Sequence, residues 1–211
     1  MKIGSKQVKE IFYGFHQTMK EKETYLVELD SVAGDGDLGL AMNDGFTAIA
    51  QMFKDYEEED IGKLLFAIAK KMNEAASSSA GTLLSSAFMT SARALKGVKE
   101  MGYKELTLMV SSWLEGIVKM GGAKRGEKTL LDALIPAVEA MNSYQGEDLK
   151  ELSAKAANAA KQGAEETKEL LAVHGKMAVK GQKSIGMWDP GAVMISLLMQ
   201  SMAESIQNMQ K

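Results

Sequence analysis

The chain has 211 residues, 45% of them hydrophobic, with a formal net charge of −3 and a pI near 5.6. That length suits one large domain or two small ones, and the composition can fill a real core. The acidic balance argues against nucleic acid as a general partner, because phosphate backbones call for a basic face.

Cysteine is absent, which excludes a disulfide framework, a thiol nucleophile and a zinc–thiolate site. The opening Met-Lys-Ile-Gly-Ser carries no apolar signal core. No apolar run reaches the ~18 residues that a membrane span needs. A cytoplasmic protein with no membrane partner is the expectation. Two prolines and almost no β-branched alternation point to an all-α fold.

The first segment, Ser5 to Leu29, sets Val8, Ile11, Phe15 and Met19 on one helical face, with Ser5 as its cap. The stretch Leu29–Gly39 then places Asp30, Asp35 and Asp37 within eight residues, separated by small residues and glycine. Hard oxygen donors on a bent loop suit Mg²⁺, which takes a few carboxylates together with phosphate oxygens and water. Asp and Gly are also ordinary turn residues, and one Asp can simply cap a helix. A turn explains three clustered acids poorly, because like charges repel. An EF-hand fits worse, since its ligand alternation and bidentate Glu are missing.

A second helix is expected from Gly39 to Phe53, with Met42, Phe46 and Ile49 inward. The acidic run Glu57–Asp60 leads into a third, marked by Leu64, Leu65, Ile68 and Met72. The small, polar segment Ala75–Thr82 opens a fourth. It either offers free backbone N–H groups to an anion or only lets two helices approach closely.

A fifth helix covers Glu105 to Lys119. The segment Gly121–Thr129 that follows resembles a P-loop but carries one extra residue, Glu127, before its lysine, and no strand leads into it. A P-loop fold is therefore rejected. A glycine-rich basic loop still precedes the helix marked by Leu130, Leu131, Leu134 and Val138. Lys124 and Arg125 read as surface charges.

A seventh helix spans Glu147 to Leu171 and buries mostly small residues. From His174 to Trp188 there is no helical period, only a basic, glycine-punctuated loop; such long loops are usually functional or mobile. Asp189-Pro190-Gly191 opens the last helix, Asp as N-cap and Pro at the first turn.

In an antiparallel up-and-down bundle, alternate loops share an end. The loops after the first, third, fifth and seventh helices are the chemically rich ones: the acidic loop, the Ser segment, the Gly-Lys loop and the stretch ending in Asp-Pro-Gly. The other loops read as plain turns.

These motifs resemble one known family, the ADP-binding L subunits of bacterial dihydroxyacetone kinases. The resemblance rests on Leu29–Gly39, Ala80-Gly81, Gly126–Ala133 and Ser184–Ala192, and covers essentially the whole chain. It implies one nucleotide-binding domain over residues 1–211, an eight-helix antiparallel barrel-like bundle with its site at one end. It implies ADP (or ATP) with two Mg²⁺ ions held by Asp30, Asp35 and Asp37. It implies a nucleotide wall of Leu38, Gly39, Leu40, Ala41, Ser79, Ala80, Gly121, Leu130, Lys176, Asp189, Pro190 and Gly191, with Lys128 and Thr129 close by.

The implied activity is that of a phosphotransferase. A phosphohistidine on an M subunit, charged by the phosphoenolpyruvate-dependent system, phosphorylates resident ADP. The phosphoryl group then passes to dihydroxyacetone on a K subunit. The family leaves room for a homodimer. No catalytic nucleophile is expected in this chain, since phosphoryl transfer needs positioning and charge neutralisation more than covalent chemistry.

The chain departs from the family pattern at Leu38, where His or Thr is usual, at Ala80, where Ser is usual, and at Lys176, which stands for Arg. A lysine offers a point charge where arginine offers a fork. One alternative is an ATP-dependent kinase unit for another small ketose. Another is a non-enzymatic helical interaction protein whose acidic loop is only a turn. His174 reads as a loop or surface histidine, and the 16 methionines as core filling.

Overall fold

The apolar spacing of the sequence folds into helices, and their ends are set by local caps. Residues 1–32 and 34–209 are described by the computed structural model; positions 33, 210 and 211 lie outside it. Among the described residues the helices are α1 (Ser5–Glu21), α2 (Glu23–Ser31), α3 (Leu38–Met52), α4 (Ile61–Ala75) and α5 (Ser79–Ala94). They continue with α6 (Tyr103–Gly121), α7 (Leu131–Asn142), α8 (Leu149–Glu166) and α9 (Pro190–Asn208).

Asp60, Ser78, Asp148 and Asp189 cap α4, α5, α8 and α9, each accepting a backbone N–H with its side chain. Such caps are worth about 1 kcal/mol each. Ser5 is the first residue of α1 rather than its cap; Gly4 takes the cap position and donates its N–H to Gln7 at 3.0 Å.

Three expectations need correction. The first helix is two, because the chain breaks at Lys22 (φ −100°, ψ 5°) before α2 begins. The seventh ends at Glu166 and passes into a 3₁₀ turn over Thr167–Glu169. The stretch expected as an irregular loop holds 3₁₀ turns over Lys176–Ser184, kinked at Gly181. A pair of two-residue strands also went unforeseen: β1 (Ile3–Gly4) lies antiparallel to β2 (Glu100–Met101), with Ile3 opposite Met101.

The helices close on themselves. α1 packs on α3, each helix from α3 to α9 packs on the next, and α9 returns to α1. The result is the expected all-α ring of eight helices, with the short α2 laid against α3 and α9. Its interior is one cluster of buried side chains. Phe12, Phe15, Phe46, Phe88 and Trp113 meet edge to face or tilted, with centroids 5.0–6.4 Å apart. Each aromatic pair adds about 0.5–1.5 kcal/mol beyond the area it buries. Met19, Met42, Met72, Met101, Met109, Met141, Met194, Met199, Met202 and Met209 are buried in the same core, so core filling describes most of the 16 methionines. Among the described residues no helix is long and apolar enough to cross a membrane.

Candidate functional site

One end of the ring holds a cavity of about 290 Å³, and all four chemically rich loops reach it. The α2–α3 loop brings Asp30, Gly34, Asp37 and Leu38. The start of α5 brings Ser79, Ala80 and Leu83. The α6–α7 loop brings Gly121, Ala123 and Lys128 to Leu131. The segment before α9 brings His174 to Met177 and Asp189 to Gly191. Alternate-loop counting had put these four loops at one end, and they meet there around one cavity.

The acids do converge. Asp30, Asp35 and Asp37 each offer an oxygen, and these oxygens lie within 4.8 Å of one another. Gly36, at φ +72°, turns the chain tightly between the last two. Asp30 also steadies the start of α3, accepting the Leu38 N–H at 3.4 Å. Asp37 stands at the N-cap position of α3 but makes no side-chain cap bond, which leaves its carboxylate for the cluster.

Like charges this close require a cation. Here the Lys176 ammonium supplies one, bonded to Asp35 and lying 3.3 Å from Asp37. That ammonium holds the Asp35 carboxyl below the usual carboxylate range, and Asp35 in turn raises Lys176. A hard oxygen set that already gathers a positive charge fits a divalent cation.

The remaining expected residues divide. Gly39, Leu40 and Ala41 lie outside the cavity wall. Leu40 is 52% exposed. A side chain on Gly39 would strike Val27 and the Glu23 carbonyl, so this glycine serves the close packing of α3 on α2. Lys128 borders the cavity, yet its ammonium is turned inward onto backbone carbonyls. It presents no charge to a ligand there.

Sequence reasoning passed over several wall residues. Leu83, Ile117 and Leu131 add an apolar lining that their helical periodicity had assigned to the core, and Met177 adds to it from the stretch read as an irregular loop. His174, read as a surface residue, is on the wall and meets Glu127 at 2.9 Å. Glu127 also accepts the Lys124 N–H at 2.6 Å. Asp132, buried, accepts the N–H groups of Gly126 (2.5 Å) and Thr129 (2.8 Å) and so shapes the loop from within. Asp189 is buried too; desolvation pushes its carboxyl up to about 7 against the opposing Ala192 N–H.

A wall of this composition, with acids at one edge and helix starts around it, can hold an anion bridged through cations. Comparison with known proteins agrees with that description. The model of the DAK2 domain matches residues 32–204. The chain belongs to the DAK2 domain family. Among curated DAK2 relatives, the ADP-binding subunit of the PEP-dependent dihydroxyacetone kinase of Escherichia coli is 30% identical over 181 residues. That match covers 85% of this chain and 86% of the relative. The L-erythrulose 1-kinase of Mycolicibacterium smegmatis is 28% identical over 194 residues, 91% of this chain but 34% of the kinase. The chain thus spans about a third of the length of that relative. The crystal structure of the dihydroxyacetone kinase from C. freundii in complex with AMP-PNP and Mg²⁺ superposes with a TM-score of 0.75 at 24% identity. It matches over 97% of this chain and 35% of the other. That likeness shows that the helical ring is a fold the two chains share.

Proposed function

We propose that this chain is the magnesium- and ADP-binding phosphotransfer subunit of a dihydroxyacetone kinase, with residues 1–211 acting as one nucleotide-binding unit. The observation that carries the reading is the meeting of Asp30, Asp35 and Asp37 with four helix-leading loops around one cavity. The subunit relatives of matching length support it.

In this reading Asp30, Asp35 and Asp37 hold two Mg²⁺ ions. The start of α5, with Ser79 and Ala80, and Gly191 at the start of α9 receive the phosphates through backbone N–H groups, with Asp189 and Pro190 beside them on the wall. Leu38, Gly121, Thr129 and Leu130 complete the nucleotide wall. Leu83, Ile117 and Met177 exclude water beside it. When bound, the nucleotide supplies the phosphoryl carrier between a phosphohistidine on an M-type subunit and dihydroxyacetone on a K-type subunit. Lys176 stands where it can offset developing phosphate charge, which is the main demand of such transfers. Exposed Leu40, Val173 and Val179, next in sequence to wall residues or on the same segment, offer apolar surface to those partners.

A second reading rests on the similarity to one third of an erythrulose kinase. There the chain is the nucleotide unit of an ATP-dependent kinase for another small ketose. Mass spectrometry of small molecules released on denaturation tests the first reading. ADP retained through gel filtration in Mg²⁺ is expected. A ligand-free protein that exchanges readily with ATP, with no M-type subunit present, favours the second. Absence of any nucleotide affinity sinks both.

A further inference from the structure

Lys128 is fully buried, and its backbone sits at φ +60°, a left-handed conformation that side chains other than glycine rarely adopt. The side chain runs away from the cavity into the neck of the excursion between α8 and α9. An ammonium has three protons. They face three short contacts, to the carbonyl oxygens of Thr167 (2.6 Å), Ser184 (2.7 Å) and Met187 (2.7 Å), while the Leu170 carbonyl shares them at 3.2 Å. Thr167 and Leu170 lie where the excursion leaves α8. Ser184 and Met187 lie where it returns to α9.

We propose that Lys128 is a positioning residue that clamps both stems of this excursion and thereby sets the wall formed by His174, Gly175, Lys176 and Met177. The functional part rests on the nucleotide reading above. Two further bonds close the same neck: Ala172 N–H to Ser184 Oγ at 3.0 Å and Gly186 N–H to the Lys168 carbonyl at 2.7 Å. Beyond the neck the tip is open to solvent, with Val179 90% exposed and positive φ at Gly175 and Gly181. The closed neck carries Lys176, whose ammonium lies against Asp35 and Asp37. A buried charge is tolerated only when its donors are satisfied, so the clamp and the strained backbone that aims it are held together.

Native-state hydrogen exchange on the unmodified full chain tests the neck without any substitution. The amides of Ala172 and Gly186 should exchange at least about tenfold more slowly than those of Lys180 and Gln182 at the tip. Equal rates overturn the clamp. Lys128→Gly then removes the ammonium while accepting the positive φ. Trypsin should cut after Lys176, Lys180 or Lys183 about tenfold faster in the variant. Mg-ADP should leave it about tenfold faster with little change in association.

A merely structural lysine would lower the melting temperature and leave the dissociation rate alone. Tryptic and dissociation rates within about twofold of the parent, in a folded variant, overturn the proposal. If the variant does not fold, the exchange rates decide. If the parent itself fails to bind Mg-ADP, the nucleotide reading falls, and the tryptic comparison still decides the clamp.

Discussion

Asp35 belongs to the acid cluster at the cavity's edge and Asp189 to its wall, and their surroundings assign them opposite work. Asp35 is exposed and bonded to Lys176. In the proposed reading its removal takes away a cation ligand and little packing. Asp35→Ala is therefore expected to abolish magnesium-dependent ADP binding by calorimetry, while the melting temperature moves by less than about 3 °C. A variant that unfolds would show the loop to be structural. Asp189 is buried beneath α9, facing Lys128 from the α6–α7 loop, Asp132 from α7 and Asp30 from α2. Its carboxyl is raised from 3.8 to about 7, so between those values the native protein holds a proton that the unfolded chain releases. Stability then falls as pH rises through that window and levels off above it, by on the order of a few kcal/mol. Asparagine keeps the N-cap acceptor and cannot ionise. Melting curves of Asp189→Asn across this pH range should be flatter than those of the parent; parallel curves would remove Asp189 from the account.

At the scale of elements, the packing of α7 on α8 reaches the site through one glycine. A methyl group on Gly163 would strike the Asp132 carbonyl and lie 3.1 Å from Pro136 Cγ. Asp132 in turn holds the Gly126 and Thr129 N–H groups. Gly163→Ala should therefore cost about 1–3 kcal/mol, or about 2–12 °C in melting temperature, and weaken nucleotide binding together with stability. Unchanged melting would mean that the two helices separate freely. What was legible in the sequence follows from the same physics. Periods of three and four mark helix faces wherever one side is buried, so the ring and its loop order could be counted. The break at Lys22 carries no glycine or proline; it lets α2 turn so that Gly39 can pack on Glu23 and Val27, a tertiary demand with no local sign. The 3₁₀ turns over Lys176–Ser184 are too short to build a period. The acid trio was readable because three like charges need a counter-ion. The roles of Asp132, His174 and Lys128 were not, because an Asp inside a leucine-rich helix start and a Lys in a basic loop look the same whether they face inward or outward.

For the whole molecule, a closed ring couples the site to global stability. The cavity is assembled from four loops that join eight packed helices, so the wall exists only when the ring is closed. A ligand that binds this wall binds the native state and not the unfolded chain. It must then raise the unfolding free energy by RT ln(1 + [L]/Kd), about 2.7 kcal/mol at a hundredfold excess over Kd. For a chain of this size that is about 5–11 °C in melting temperature. The shift should require both ADP and Mg²⁺, because the acids and the diphosphate repel each other unless cations lie between them. Chelation with EDTA should return the melting temperature to that of the ligand-free protein, where Lys176 alone neutralises Asp35 and Asp37. A shift of the same size in EDTA would show that the nucleotide is recognised without the acid trio, and the metal assignment would fall while the cavity assignment stood. No shift at saturating Mg-ADP would place the ligand elsewhere on the ring or remove it altogether.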